Sequence, residues 1–234
     1  MGEQDGLVLV VDDDENVRDV VRRYLEIAGF RVELAGDGER ALELFAWHRP
    51  DLVVLDVMMP GTSGLEVCRR LRESSEVPVV MLTALGEEEN RIAGLQLGAD
   101  DYVTKPFSPR ELALRVASVL RRARMTAPSS PAPDLVDGDL RLVPAARQAT
   151  LDGLELSLTA REFDLLAFFL HHPGEAFSRT DLLEKVWGWD FGDQSTVTVH
   201  VRRLREKIER DPANPSRVVT VWGVGYRYQA ERAS

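Results

Sequence analysis

Five short, mostly apolar runs, at residues 7–11, 31–35, 52–55, 79–82 and 102–104, alternate with helical periodicity over the first half of this chain. The helical patterns occupy residues 16–28, 38–47, 63–73, 87–97 and 108–122. Strands apolar on both faces need cover on both faces, and parallel strands need a crossover that a helix supplies. Five such units predict an α/β domain: a doubly wound (βα)5 fold with a five-stranded parallel sheet. Ligands of such sheets bind outside the carboxyl ends of the strands. Asp12 and Asp13 follow the first run, Asp56 the third, Thr83 the fourth and Lys105 the fifth. The fold therefore predicts that these five residues meet.

Their types define a chemistry. Clustered carboxylates repel one another and stay ionised together only beside a cation. Magnesium (Mg2+) takes hard oxygen ligands, commonly one or two carboxylates with phosphate oxygens and water. A metal beside Asp56 would offset repulsion between its carboxylate and an incoming phosphoryl donor. Asp56 is then the expected nucleophile, giving an aspartyl-phosphate. Lys105 and the Thr83 hydroxyl would hold the transferred oxygens. Asp14 reads as a helix N-cap.

Residues 125–134, MTAPSSPAPD, have three prolines and no periodicity. They read as a semi-extended linker reaching at most roughly 3.3 Å per residue. It divides the chain into domains at 1–124 and 135–234. In the second domain, short strands are expected at 140–143, 148–151 and 155–157, and helices at 159–171, 179–187 and 196–210. A hairpin of 218–221 and 226–228 closes it through Trp222-Gly223-Val224-Gly225. This is the outline of an α+β winged helix-turn-helix. In the last helix Val197, Val201, Leu204 and Ile208 form one apolar stripe. The opposite face is expected to carry Ser195, Thr196, Val199, Arg202, Arg203 and Glu206. There Arg203 would reach guanine bidentately and Val199 a thymine methyl. Arg202, Arg205 and His200 would flank it near phosphates. Trp187 and Trp189 read as core and loop anchors, and Cys68 as an inert packed thiol.

The net charge of the chain is -10, so any case for nucleic acid must be local. Residues 196–227 hold seven basic against three acidic residues, a segregated positive segment. One cysteine rules out an internal disulfide framework. The acidic, polar start does not read as a signal peptide. No apolar run approaches the ~20 residues of a membrane span. A cytoplasmic protein is expected.

The stretches VVDDDE, LVVLDVMMPGTSG, MLTA and DDYVTKPF resemble the receiver domain of bacterial response regulators across residues 7–122. LTAREFDLL, TVTVHVRRLREKI and VWGVGYRY resemble the OmpR/PhoB winged-helix domain across about 136–228. The resemblance implies that a sensor histidine kinase phosphorylates Asp56. It implies that Asp12, Asp13, Asp56 and the Met58 carbonyl hold Mg2+, and that Thr83 and Tyr102 form a switch pair. It also implies a cis Lys105-Pro106 bond. It implies a homodimer on phosphorylation, paired as Arg91–Glu111, Asp101–Arg115 and Asp100–Arg122. Thr196, Val199, His200, Arg202, Arg203, Arg205 and Arg227 would contact double-stranded DNA with direct-repeat half-sites. RNA polymerase is a further implied partner. One position departs from the pattern: Trp222 stands where many members have an arginine used in the minor groove.

The expected function is a non-enzymatic, phosphorylation-gated transcription regulator, at most slowly autophosphorylating or autodephosphorylating. Two alternatives stand. One is a phosphorylation-independent DNA-binding regulator whose receiver serves as a dimerisation module. The other is a Mg2+-dependent phosphohydrolase, against which stands the lack of a second acid-base residue near Asp56.

Overall fold

The structure, a computed structural model, describes residues 6–84, 97–124, 133–188 and 194–231, without the side chains of 121–124. The chain forms two compact units, Met1–Arg121 and Arg122–Ser234. The expected helix over 87–97, most of the linker, Trp189 and Arg91 lie outside the described residues, as does the Arg122 side chain.

The first unit is built on strands β1 (Leu7–Val11), β2 (Arg31–Ala35), β3 (Leu52–Asp56), β4 (Val79–Ala84) and β5 (Asp101–Lys105). They form one parallel sheet in the order β2-β1-β3-β4-β5. The described helices are α1 (Glu15–Ile27), α2 (Gly38–His48), α3 (Gly64–Arg72) and α4 (Pro109–Arg124). Val8, Val10, Leu52, Val54, Val80 and Leu82 share a core with Val21 and Leu25 of α1 and Leu112 and Val116 of α4. Leu9, Val53, Leu55 and Met81 alternate to the other face and are buried too. Asp14, Asp37 and Ser63 cap α1, α2 and α3, accepting from the N–H groups of Asn16, Arg40 and Glu66.

The sheet order decides where chemistry can gather. Strand β1 pairs with β2 on one side and β3 on the other, so the winding direction reverses there. Val11 lies opposite Leu55. The residues that follow on each strand, Asp12 and Asp56, therefore emerge side by side at the carboxyl edge.

The second unit opens with an antiparallel four-stranded sheet, β6 (Leu135–Asp137), β7 (Leu140–Val143), β8 (Gln148–Leu151) and β9 (Leu154–Glu155). Then come α5 (Ala160–His171), β10 (Ala176–Ser178) and the short α6 (Arg179–Leu182), which runs into a π-helical turn at Leu183–Trp187. Helix α7 (Ser195–Ile208) and the hairpin β11 (Val218–Val221) and β12 (Gly225–Tyr228) complete it. The hairpin has a third strand, β10, paired to β12. Strands β6 and β10 were not expected from the sequence, and neither exceeds three residues. A shared core of Phe163, Leu166, Phe169, Trp187, Val201, Leu204 and Tyr228 binds the helices to the hairpin. No described helix is long and apolar enough to cross a membrane.

Candidate acidic pocket and nucleic-acid interface

The carboxyl edge of the first sheet brings together the five residues expected there. Asp12 is wholly buried at the end of β1, and Asp56 is buried as the last residue of β3. Carboxylate oxygens of Asp12, Asp13 and Asp56 all lie within 4.8 Å of one another. The Lys105 ammonium, at the end of β5, is 2.7 Å from Asp12 Oδ2 and 3.0 Å from Asp56 Oδ1. Burial pushes the Asp56 carboxyl up to about 6, the neighbouring Asp12 and Asp13 charges add to this, and Lys105 opposes it. Burial works against the Lys105 charge, but bonds to Asp12 and Asp56 outweigh it and hold its pKa above the usual range. The buried Thr83 hydroxyl has no hydrogen-bond partner among the described residues. A buried, unpaired donor at a strand end beside a carboxylate suits an incoming anion. Three converging carboxylates are a donor set that fits a hard divalent cation. Tyr102 is buried on β5 opposite Met81, and the Lys105-Pro106 bond is cis. Met58 follows in the loop after β3, its side chain exposed.

Two features of the pocket were not read from the sequence. Arg18 Nη1 donates to the Asp12 carbonyl at 2.6 Å and the Asp13 carbonyl at 3.0 Å. One guanidinium on the first turns of α1 thus fixes the loop that carries both acids. Nothing in a DDDENVR string distinguishes such an arginine from a solvated one. The second is Gly64, whose N–H donates to the Val57 carbonyl at 3.0 Å. A Cβ on Gly64 would lie 2.0 Å from the Asp56 carbonyl oxygen. Only glycine lets α3 start against the acceptor strand.

On β5 and α4, Arg115 Nη1 meets Asp101 Oδ2 at 2.9 Å and Arg115 Nη2 meets Glu111 Oε1 at 2.8 Å. These pairs lie within one chain. Burial opposes the Arg115 charge, but the Asp101 and Glu111 carboxylates outweigh it and raise its pKa. Asp100 requires a correction. Expected as a surface charge, it is 0% exposed and accepts from Val79 N–H at 2.9 Å and Arg72 Nη2 at 3.1 Å. It ties the start of β4 to the segment entering β5.

The expected reading face of α7 also needs correction. His200 is 0% exposed, its ring edge-on to Trp187 with centroids 5.1 Å apart. Its Nδ1 is 2.8 Å from the Thr196 carbonyl. Burial, with the Arg203 charge adding, pushes its pKa down to about 4. Arg203 is 8% exposed and pairs with Glu162 Oε1 at 2.8 Å. Lys207 pairs with the other oxygen of Glu162 at 2.6 Å. Burial opposes the Glu162 charge, but Arg203 and Lys207 outweigh it and hold its pKa below the usual range. The same Glu162 oxygen accepts Thr159 N–H at 2.9 Å in a reciprocal capping box that starts α5. Thr196 and Val199 are buried as well. The buried arc of α7 is thus wider than its aliphatic stripe. The groups left exposed are Thr198, Arg202 and Glu206, with Arg202 bonded to Glu206 at 3.1 Å. Arg205 turns to the hairpin, donating to the Val218 carbonyl at 2.8 Å and Thr220 Oγ1 at 2.9 Å. Arg227 is half-buried on β12.

An acid-lined switch-point pocket on one unit and a winged helix on the other define the class of two-component response regulators. Residues 8–117 match the family model for the response regulator receiver domain, and residues 153–228 that for transcriptional regulatory protein, C terminal. The chain is 45% identical to the transcriptional regulatory protein ResD of Bacillus subtilis (strain 168), over 95% of each chain. It is 46% identical to the alkaline phosphatase synthesis transcriptional regulatory protein SphR of Synechococcus elongatus, over 94% of this chain and 90% of that one. Among solved structures it resembles DrrB, a Thermotoga maritima OmpR/PhoB homolog. That likeness has 36% identity, TM-score 0.51 and coverage of 96% of this chain and 99% of that one. This chain belongs to the OmpR/PhoB family of response regulators.

Proposed function

We propose that Asp56 is the phosphoryl acceptor of this response regulator and that its phosphorylation gates DNA binding. One observation carries the reading: Asp12, Asp13, Asp56 and Lys105 converge at one strand edge, beside a buried Thr83 hydroxyl with no hydrogen-bond partner among the described residues. An Asp56 oxygen attacks the phosphorus of a kinase phosphohistidine. The N–P bond breaks, an acyl-phosphate O–P bond forms, and the imidazole leaves carrying the N–P electron pair. Asp12, Asp13, Asp56 and the Met58 carbonyl would hold Mg2+, which when bound offsets the charge of donor and acceptor. Lys105 then moves from Asp12 to the new phosphoryl oxygens, and the Thr83 hydroxyl donates to another.

Drawing Thr83 inward opens space that Tyr102 takes up, and this biases the β5 and α4 face towards a symmetric dimer. There Asp101, Glu111 and Arg115 would exchange their internal pairs for partners on the second chain, with Arg91 and Arg122 joining them. Two winged helices then gain avidity on repeated half-sites. Arg202 and Thr198 supply the exposed face of α7. The setting is cytoplasmic, and the partners are a histidine kinase, DNA and RNA polymerase.

The test is intact mass after incubation with a small acyl phosphate, for wild type and Asp56→Ala. A single Mg2+-dependent phosphoryl adduct on wild type alone supports the reading. Its absence from wild type that binds Mg2+ would favour phosphorylation-independent DNA binding.

A further inference from the structure

The acidic turn between β1 and α1 is tied to a single residue. Arg18 takes the carbonyls of Asp12, Asp13 and Asp14. Its Nη1 donates to the first at 2.6 Å and the second at 3.0 Å, and its backbone N–H donates to the third at 3.1 Å. The guanidinium lies against Gly36, which follows β2. Nη1, Cζ and Nη2 stand 3.5, 3.7 and 3.8 Å from where a Gly36 Cβ would be. These near-equal distances set its face on that glycine, between the turn after β1 and the turn after β2.

The three acids of the pocket are not held alike. Asp56 is part of β3. Asp12 is wholly buried, with Oδ1 accepting Asp14 N–H at 3.0 Å and Oδ2 facing the Lys105 ammonium at 2.7 Å. Asp13 is exposed, and no hydrogen bond or ion pair holds its carboxylate among the described residues. Its direction is fixed through the backbone instead. The Asp12 carbonyl belongs to the peptide before the Asp13 Cα, and the Asp13 carbonyl to the peptide after it. Two planar peptides drawn to one nitrogen leave Asp13 little freedom in φ or ψ. Bonds from a charged donor are roughly twice as strong as neutral ones, so the hold is firm.

We propose that Arg18 is a positioning residue: by bonding both peptides that flank Asp13, it aims that carboxylate into the pocket and sets how tightly a divalent cation binds there. This rests on the phospho-acceptor reading above and adds a residue that prepares its cation site. The charge of Arg18 by itself works the other way, since a cation repels a cation. Loss of the charge alone would tighten Mg2+ binding, whereas loss of positioning loosens it. The sign of the effect therefore separates positioning from electrostatics. A brace for the fold alone would change unfolding and leave the Mg2+ affinity of the folded protein as it is.

The experiment titrates Mg2+ into the full chain by calorimetry, for wild type, Arg18→Met, Asp13→Asn and the double variant. Arg18→Met should bind Mg2+ about tenfold more weakly, the usual cost of losing a group that orients a metal ligand. In the Asp13→Asn background the same change should cost almost nothing further, because Arg18 acts through Asp13. With a small acyl phosphate, Arg18→Met should need about tenfold more Mg2+ for half-maximal adduct formation, yet reach the wild-type rate at saturation. Where Arg18→Met does not fold, Gly36→Val serves instead. It keeps the arginine, crowds its guanidinium and should loosen Mg2+ in the same direction. Unchanged or tighter Mg2+ binding by Arg18→Met, or an undiminished loss in the Asp13→Asn background, would overturn the proposal. Wild type that binds Mg2+ and gains no adduct would instead remove the phospho-acceptor reading, while the effect of Arg18 on Mg2+ affinity would stand or fall by itself.

Discussion

The Lys105 ammonium lies 2.7 Å from Asp12 Oδ2, so the cation nearest the buried acid is supplied by the chain. One lysine does not relieve three carboxylates. Asp56 remains pushed up to about 6 from an ordinary value of 3.8, by burial first. A carboxyl that binds its proton more tightly when folded confers stability fully present below about pH 4. That stability is lost as pH rises through about 6. Asp56→Asn should therefore stabilise the metal-free protein at pH 7.5 by roughly 1–3 kcal/mol, an advantage that disappears near pH 4. Urea unfolding across pH checks this. Added Mg2+ should raise the midpoint of wild type and leave Asp56→Asn unmoved.

Adjacent arginines on α7 should fail in different ways. Arg202 is exposed, and Arg202→Ala should weaken DNA binding and lower the salt slope by about 1. Arg203 is buried against Glu162. Arg203→Ala should cost roughly 3 kcal/mol of stability, since it strips a partner from a buried carboxylate. Denaturant unfolding and salt-dependent binding, run on both variants, separate the two outcomes.

His200 should act as a stability titrant. Its folded pKa is down at about 4 against an ordinary 6.5, so its contribution is present above about pH 6.5 and lost as pH falls through 4. The full loss is about 3 kcal/mol. His200→Phe removes the titrating ring and should flatten this acid limb, measured by thermal unfolding at neutral and acidic pH. Its DNA affinity near neutrality should match wild type, because the ring packs on Trp187.

Arg115→Ala should still accept one phosphoryl group by intact mass, while sedimentation shows a monomer. The monomer should also lose roughly 1–3 kcal/mol, because Asp101 is buried and loses its ion pair. A phospho-dimer of unchanged strength would remove Arg115 from the interface.

The pocket was legible because strand ends are legible. An apolar run that stops at an acid, hydroxyl or lysine marks both the element and its exit, and the parallel sheet collects the exits on one edge. The face of α7 was not legible for the converse reason. A stripe of four aliphatics marks where burial begins, but its width depends on what packs alongside. Here Glu162 reaches α7 from α5 and draws Arg203 and Lys207 to it. The cue available was Thr159-x-x-Glu162, a capping box whose glutamate has one oxygen left to satisfy. Asp100 misled similarly: two adjacent aspartates look solvated until Arg72, far off in sequence, is placed beside the first. Strands of three residues, such as β6 and β10, carry too short an alternation to read.

The contact of Gly64 with the Asp56 carbonyl has a practical use. A methyl group there has no room, so Gly64→Ala should displace the acceptor and suppress the phosphoryl adduct seen by intact mass. Every acid, the lysine and the hydroxyl would remain in the sequence. Such a variant is an off-state allele of a kind that Asp56 replacements cannot supply. It keeps the full charge inventory of the receiver, so whatever it fails to do in a cell reports on geometry alone.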